Sequence, residues 1–307
     1  MARRKKGNPV HGWLVIDKPS GIGSTPLVGK AKWALQAQKC GHAGTLDPLA
    51  TGVLALAFGE ATKTVPYVME GDKQYRFTVR WGIATNTDDS EGEATQTSDL
   101  RPTRAQIEAA LPQFIGEIPQ IPPAYSAIKI DGQRSYALAR KGETPEHAAR
   151  PIRMDDLRLI EQPDADSAIF EMTCGKGGYV RAIGRDIGQT LGCFGHITQL
   201  RRLRTGPFTL EQAISLETLE EMRHTPHSCA RLTSVATGLD GVPALAITEA
   251  QAQQLRNGQA VPAAGSGLDY GTTAWASLNG TPIAIGSVKG GLLHPERVLL
   301  MPDAEGN

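Results

Sequence analysis

Gln74-Tyr-Arg-Phe-Thr-Val-Arg-Trp81 alternates without a break: Tyr75, Phe77, Val79 and Trp81 fall on one face, and Gln74, Arg76, Thr78 and Arg80 on the other. A period of two is that of a strand with one face buried and one face wet. Upstream, Gly12-Trp-Leu-Val-Ile16 is a short apolar run stopped by the Lys18-Pro-Ser-Gly21 turn signal, which predicts a buried strand entering a loop. A helix is expected next, with Thr25 as cap, Pro26 in its first turn, and Leu27, Val28, Ala31, Ala34 and Leu35 at helical spacing.

Downstream, the acidic stretch Thr85 to Asp99 reads as a loop, and Thr103-Arg-Ala-Gln106 as a capping box. Pro119 to Pro123 reads as irregular. Strands are expected around Ile152–Ile160 and Ile169–Cys174, then a helix from about Tyr179 to Leu191 that stops at Gly192. Strands and helices mix without a regular βαβ rhythm, so the class is α+β rather than doubly wound. Glu211 to about Ala236 reads as helix and linker, with a boundary near Gly238–Gly241. Residues 242–301 are glycine-rich with short apolar runs such as Ala274–Leu278 and Pro282–Gly286, which suits a small β-rich domain.

The 307 residues are 40% hydrophobic and 21% charged, an ordinary globular composition. The basic start is followed too soon by charge to be a secretory leader, and no apolar run reaches membrane-spanning length. Cys40, Cys174, Cys193 and Cys229 are scattered without a C-x-x-C pair, which argues against a zinc site or a disulfide framework and for a reduced, cytoplasmic setting. The net charge of zero conceals segregation: residues 1–60 carry eight Lys/Arg against three Asp/Glu, residues 175–210 six against one, and residues 211–307 five against ten. If the two basic segments fold together they form a surface able to hold phosphates; otherwise they are separate solvated faces.

Cofactor motifs fail on inspection. Gly23-Ser-Thr-Pro-Leu-Val-Gly-Lys-Ala31 has five residues between its glycines where a phosphate loop has four, and Ala31 stands where Ser or Thr is needed. Neither H-E-x-x-H nor G-x-S-x-G occurs. Chemistry by side chains alone is expected, with no cofactor and no metal.

Gly41-His-Ala-Gly-Thr-Leu-Asp-Pro-Leu-Ala-Thr-Gly52 holds the best candidate. Pro48 bars Asp47 from the helical region, so its carboxylate sits on a glycine-flanked turn, either facing a cleft that His42 shares or merely starting that turn. Tyr75 is core by pattern, or a ring that stacks on a base. Arg181 and Arg185, one helical turn apart behind Gly175-Lys-Gly-Gly178, suit phosphate, or one of them pairs with a buried carboxylate. Arg201, Arg202 and Arg204 pose a similar choice.

With Asp17-Lys-Pro-Ser-Gly21, Lys73-Gln-Tyr75, Pro122-Pro-Ala-Tyr-Ser-Ala-Ile-Lys129, Gly178-Tyr-Val-Arg181, Leu200-Arg-Arg202 and Gly206-Pro-Phe208 in order around that segment, the sequence resembles the TruB-type bacterial tRNA pseudouridine-55 synthases over nearly its whole length. The resemblance implies a mixed, mostly antiparallel sheet flanked by helices in a catalytic domain at 11–237. A basic, disordered arm at 1–10 precedes it, and a PUA-like RNA-binding domain at 242–303 follows. It implies isomerisation of uridine to pseudouridine in the T loop of tRNA, by base flipping, without cofactor, metal or protein partner, in a cytoplasmic monomer. Asp47 is then the catalytic carboxylate and Arg181 its partner. Tyr75 stacks on the uracil and takes part in proton transfer, His42 contacts RNA near the target, and Tyr179 and Leu200 line the uridine pocket. Lys18 lies in an element whose implied role is mainly packing. It joins Arg185, Arg201, Arg202 and Arg204 as candidate phosphate contacts. The competing expectation is a non-catalytic RNA-binding protein or tRNA-folding chaperone. Residues 120–150 and the N-terminal arm are expected to be mobile without RNA.

Overall fold

The period-two segment is the pivot of the computed structural model, which describes residues 7–126, 129–130, 133–134, 147–223 and 228–301. In strand β4 (Lys73–Trp81), which the alternation marks out, Lys73, Tyr75, Phe77, Val79 and Trp81 are buried while Arg76 and Arg80 are exposed. Around it in chain order run β1 (Gly12–Lys18), β2 (Cys40–His42) and β3 (Thr51–Phe58) before it, then a β5 (Ile83–Thr85) and β6 (Ala94–Thr97) hairpin. They are followed by β7 (Gly116–Gln120), the two-residue strands β8 (Lys129–Ile130) and β9 (Gln133–Arg134), β10 (Arg150–Asp164), β11 (Ser167–Cys174), β12 (Gly195–Thr205) and β13 (Phe208–Thr209). One sheet takes the order β1-β3-β12-β4-β11-β10-β7, with β2 on β3 and β13 on β12. Its pairs are antiparallel except β3 with β12, which run parallel through Arg201–Thr51 and Arg202–Gly52.

Two helices, Ser24–Ala34 and Val180–Thr190, bury Leu27, Ala31, Ile183 and Ile187 in the same core as Phe77, Val79 and Trp81. A second sheet has the order β14-β16-β17-β18-β15, formed by β14 (Ala244–Ala246), β15 (Val261–Pro262), β16 (Thr273–Leu278), β17 (Thr281–Lys289) and β18 (Leu292–Val298). Its Ile285, with Leu299 just beyond β18, packs on Trp13, Val15, Val53, Ala55 and Ala57. Strands β1 and β3 are therefore buried on both faces and read as unbroken apolar runs, whereas β4 has one open face and alternates.

The class is α+β, as expected, with local revisions. The first helix is capped by Gly23, not Thr25, and no side chain caps it because a glycine has none, while the Ser24 hydroxyl bonds to Leu46. The acidic 85–99 stretch contains half of the β5–β6 hairpin. Pro119 lies in β7, an edge strand, where a residue without an N–H is tolerated. The Thr103–Gln106 capping box forms as expected, with both reciprocal bonds. Asn8 and Val10 do not belong to a loose arm: Asn8 bridges to Ala37 and Val10 is buried. Residues 1–6 and most of 120–150 lie outside the described residues, so the expectation of mobility falls on them untested.

Candidate active site

The loop carrying Asp47 leaves β2 and enters β3, and buried polar side chains from distant parts of the chain hold it in place. Arg202 donates to the carbonyls of Gly44 (3.1 Å), Thr45 (3.4 Å) and, past the loop, Val53 (2.8 Å). Ser24 Oγ donates to the Leu46 carbonyl at 3.0 Å and accepts from the Leu46 N–H at 2.8 Å. Lys18 Nζ donates to Pro48 O at 3.2 Å, as well as to Pro19 O and Ile22 O. Gly52 is required beside this network: its φ is +96°, and a Cβ would stand 2.2 Å from the Arg202 carbonyl oxygen.

Held in this way, the Asp47 carboxylate meets Arg181 from the start of the Val180–Thr190 helix. Arg181 Nε and Nη2 both lie 3.0 Å from Asp47 Oδ2. The guanidinium also donates through Nη1 to Thr87 O (2.9 Å) and through Nη2 to Tyr125 O (2.7 Å), and Asp89 Oδ2 stands 3.6 Å from Nε. Arg181 is buried while the Asp47 side chain is 40% exposed, so the pair presents a fixed carboxylate to an opening. Asp47, Tyr75, Tyr179, Arg181 and Leu200 all line one cavity of about 320 Å³, along with Lys73, Arg202 and Gly175–Gly178. That is the lower end of the range for small-ligand sites. Tyr179 is fixed in that lining by Gln120, which accepts from the Tyr179 N–H at 2.8 Å and donates to its carbonyl at 3.1 Å.

Burial pushes the Tyr75 hydroxyl's pKa up, and the neighbouring Arg202 pulls in the opposite direction. Tyr179 is raised by burial as well. Burial pushes the Lys18 ammonium down to about 8 and lowers Lys73 too. His42 is lowered by burial and then by Arg202; its Nδ1 is buried and unpartnered among the described residues, and His42 is not among the residues that line this cavity. No group of three or more His, Cys, Asp or Glu side chains among the described residues is arranged to hold a metal ion.

The phosphate-contact expectations need correction. Lys18 and Arg202 are fully buried and spend their donors on carbonyls, so neither reaches a surface phosphate. Arg185 is turned inward between Asp88 (3.0 Å) and Asp186 (2.8 Å), with its third donor on Ile121 O. Arg201 is held by both oxygens of Asp17, at 3.0 and 2.7 Å, and remains partly exposed, as does Arg204. The two basic segments do meet, along β3 and β12, but much of their charge points into the molecule. Sequence reading overlooked Asp89, Thr87 and Tyr125 as partners of Arg181. Their only signal was a polar loop and a proline-rich stretch, neither of which shows what it packs against.

Comparison with known proteins adds an independent line. Residues 32–180 match the model of the TruB family pseudouridylate synthase N-terminal domain, and residues 181–236 that of the tRNA pseudouridylate synthase B C-terminal domain. A protein of Dinoroseobacter shibae named tRNA pseudouridine synthase B is 57% identical over 298 residues, spanning 97% of this chain and 98% of its own. Its namesake in Caulobacter vibrioides is 50% identical over 306 residues, spanning 97% and 99%. Among solved structures, an H/ACA ribonucleoprotein bound to a substrate RNA containing 2′-deoxyuridine aligns with a TM-score of 0.74 at 20% identity, over 99% of this chain and 92% of that one. A Cbf5–Nop10–Gar1 complex aligns at 0.73 and 23%, over 98% and 91%. At such identities the likeness to these two structures is one of fold.

Proposed function

The chain belongs to the TruB family of pseudouridylate synthases, and from that premise we propose that it isomerises uridine to pseudouridine in tRNA, at position 55 of the T loop. The observation that carries the reading is the Asp47 carboxylate, fixed through one oxygen by Arg181 in a cavity that Tyr75, Tyr179 and Leu200 also line. The reaction breaks the bond from ribose C1′ to uracil N1 and remakes it at C5. Nothing is gained or lost, so side chains suffice.

The target base leaves its stack to reach the cavity, at a cost of a few kcal/mol that contacts within the protein offset. Tyr75 and Tyr179 supply rings for replacement stacking, and Leu200 the apolar wall. Asp47 then acts on the ribose or the ring: attack at C1′, attack at C6, and removal of a ribose proton all need a carboxylate held in one direction, which Arg181 provides. Tyr75 is the candidate mediator of the proton that leaves C5. Arg201 and Arg204 are the remaining candidates for phosphate contact, and the second sheet the candidate for further RNA contact as a PUA-like module. We take the chain to work alone, because relatives at 50% to 57% identity match it end to end, whereas the ribonucleoprotein complexes share its fold at 20% to 23%.

The test is incubation of unmodified tRNA transcript with the protein or its Asp47→Asn variant, mapping pseudouridine by carbodiimide primer extension. A single new pseudouridine in the T loop with wild type alone is expected. Tight tRNA binding by wild type without conversion would instead establish a binding protein or RNA chaperone.

A further inference from the structure

The buried charges around the cavity do not balance. Arg181 has two carboxylates, Asp47 and Asp89, but Lys73 and Arg202 form no ion pair among the described residues. Each instead donates to main-chain carbonyls: Lys73 to Met69 and Gly71, Arg202 to Gly44, Thr45 and Val53. The acids nearest Lys73, namely Glu70 and Asp72, are held outside by Lys176 and Arg153. Asp47 is the one carboxylate among the described lining residues, and Arg181 already neutralises it. Two cations without a carboxylate partner among the described residues are thus kept in a largely buried wall. Burial of that kind is costly unless something repays it, and Arg202 cannot relieve the cost by losing its proton.

We infer that Arg202 and Lys73 form an anion-stabilising wall of the cavity, acting on the negative charge that the uracil ring carries once its bond to C1′ is broken. The inference rests on the function proposed above. When the C1′–N1 bond breaks, its electron pair stays with the ring, spread over N1, O2 and O4. After the ring turns, C5 bonds to C1′ and loses its proton while N1 gains one, so atoms and charge are restored. A carboxylate adding at C6 would likewise place negative charge on the ring. Positive charge fixed beforehand in a site with little water stabilises such a state without reorganising during the reaction. Arg202 has a second effect, since it lies against the Tyr75 hydroxyl and opposes the rise that burial causes there.

The test uses the full chain and its Lys73→Met, Arg202→Met and Arg202→Lys variants, each checked for an intact thermal transition. Single-turnover conversion is measured on tRNA carrying uridine or 4-thiouridine at the target, with tRNA Kd measured in parallel. Lys73→Met and Arg202→Met are expected to slow the uridine reaction about 10²- to 10³-fold with Kd changed only a few-fold, and Arg202→Lys to recover part of the rate. With 4-thiouridine the losses should shrink about tenfold or more, because sulfur carries the negative charge more readily than oxygen. Losses equal on the two substrates would overturn the inference and mark the residues as structural, and so would full rates in the Lys73→Met variant. An inactive wild type would instead overturn the function on which the inference rests.

Discussion

Arg181 uses every nitrogen of its guanidinium, on Asp47, Thr87 and Tyr125, with Asp89 close by. An ammonium has no planar fork and cannot meet these partners together. Arg181→Lys should therefore lower single-turnover conversion about 10²- to 10³-fold while tRNA binding holds, and a loss below about fivefold would remove Arg181 from the orienting role. Gly52 makes a structural counterpart. With φ at +96° and a would-be Cβ 2.2 Å from the Arg202 carbonyl oxygen, Gly52→Ala should lose at least about 2 kcal/mol in urea unfolding, from left-handed strain together with the clash. Both residues stood out in the sequence, Gly52 as part of a glycine-punctuated motif and Arg181 behind a glycine run. Arg202 did not show its role, because a burial that turns a surface-looking arginine into an internal brace is decided by which strand lies over it.

At the scale of elements, the turn from Asn86 to Glu93 is where sequence reading was thinnest and the site depends on it most. It delivers Thr87 O and Asp89 to Arg181, and it sets Asp88 in a left-handed conformation against Arg185. Burial pushes the Asp88 carboxyl up to about 6, against the pull of Arg185 and Arg181. A carboxyl raised on folding binds its proton more tightly in the folded state, so its contribution costs stability above pH 6 and that cost is relieved as pH falls from 6 toward 4. Relative to Asp88→Asn, wild type should gain on the order of 2 kcal/mol between pH 7 and pH 4, as measured by chemical denaturation at the two values. Parallel pH profiles would show that Asp88 is not perturbed in this way. Strands β3 and β12 carried no alternating signal either. The first is buried on both faces, and the second mixes arginines that point inward with arginines that stay partly exposed.

Across the whole molecule, the two sheets share a core: Trp13, Val15, Val53 and Ala57 of the first meet Val235, Leu239, Ile285 and Leu299. Lys63 adds a bond to Val298 O at 2.7 Å, and the Leu300 N–H donates to Glu60 at 2.9 Å. Leu299 is buried, so Leu299→Ala should cost about 2–5 kcal/mol. Because the cluster is common to both sheets, calorimetry should show one transition shifted downward rather than a second, separate one; two resolved transitions would mean the sheets are energetically independent.

The sequence by itself determined what is local. The alternation of β4, the capping box at Thr103, the helix stop at Gly192 and the Asp47-Pro48 turn all rest on interactions between neighbours in the chain, whose periods and dihedral limits are written residue by residue. Tertiary structure alone decided which charges face inward. Lys18, Asp89, Arg185 and Arg202 acquire their partners from segments up to about 160 residues away. The cost of burying a charge depends on those partners, and no spacing along the chain records it.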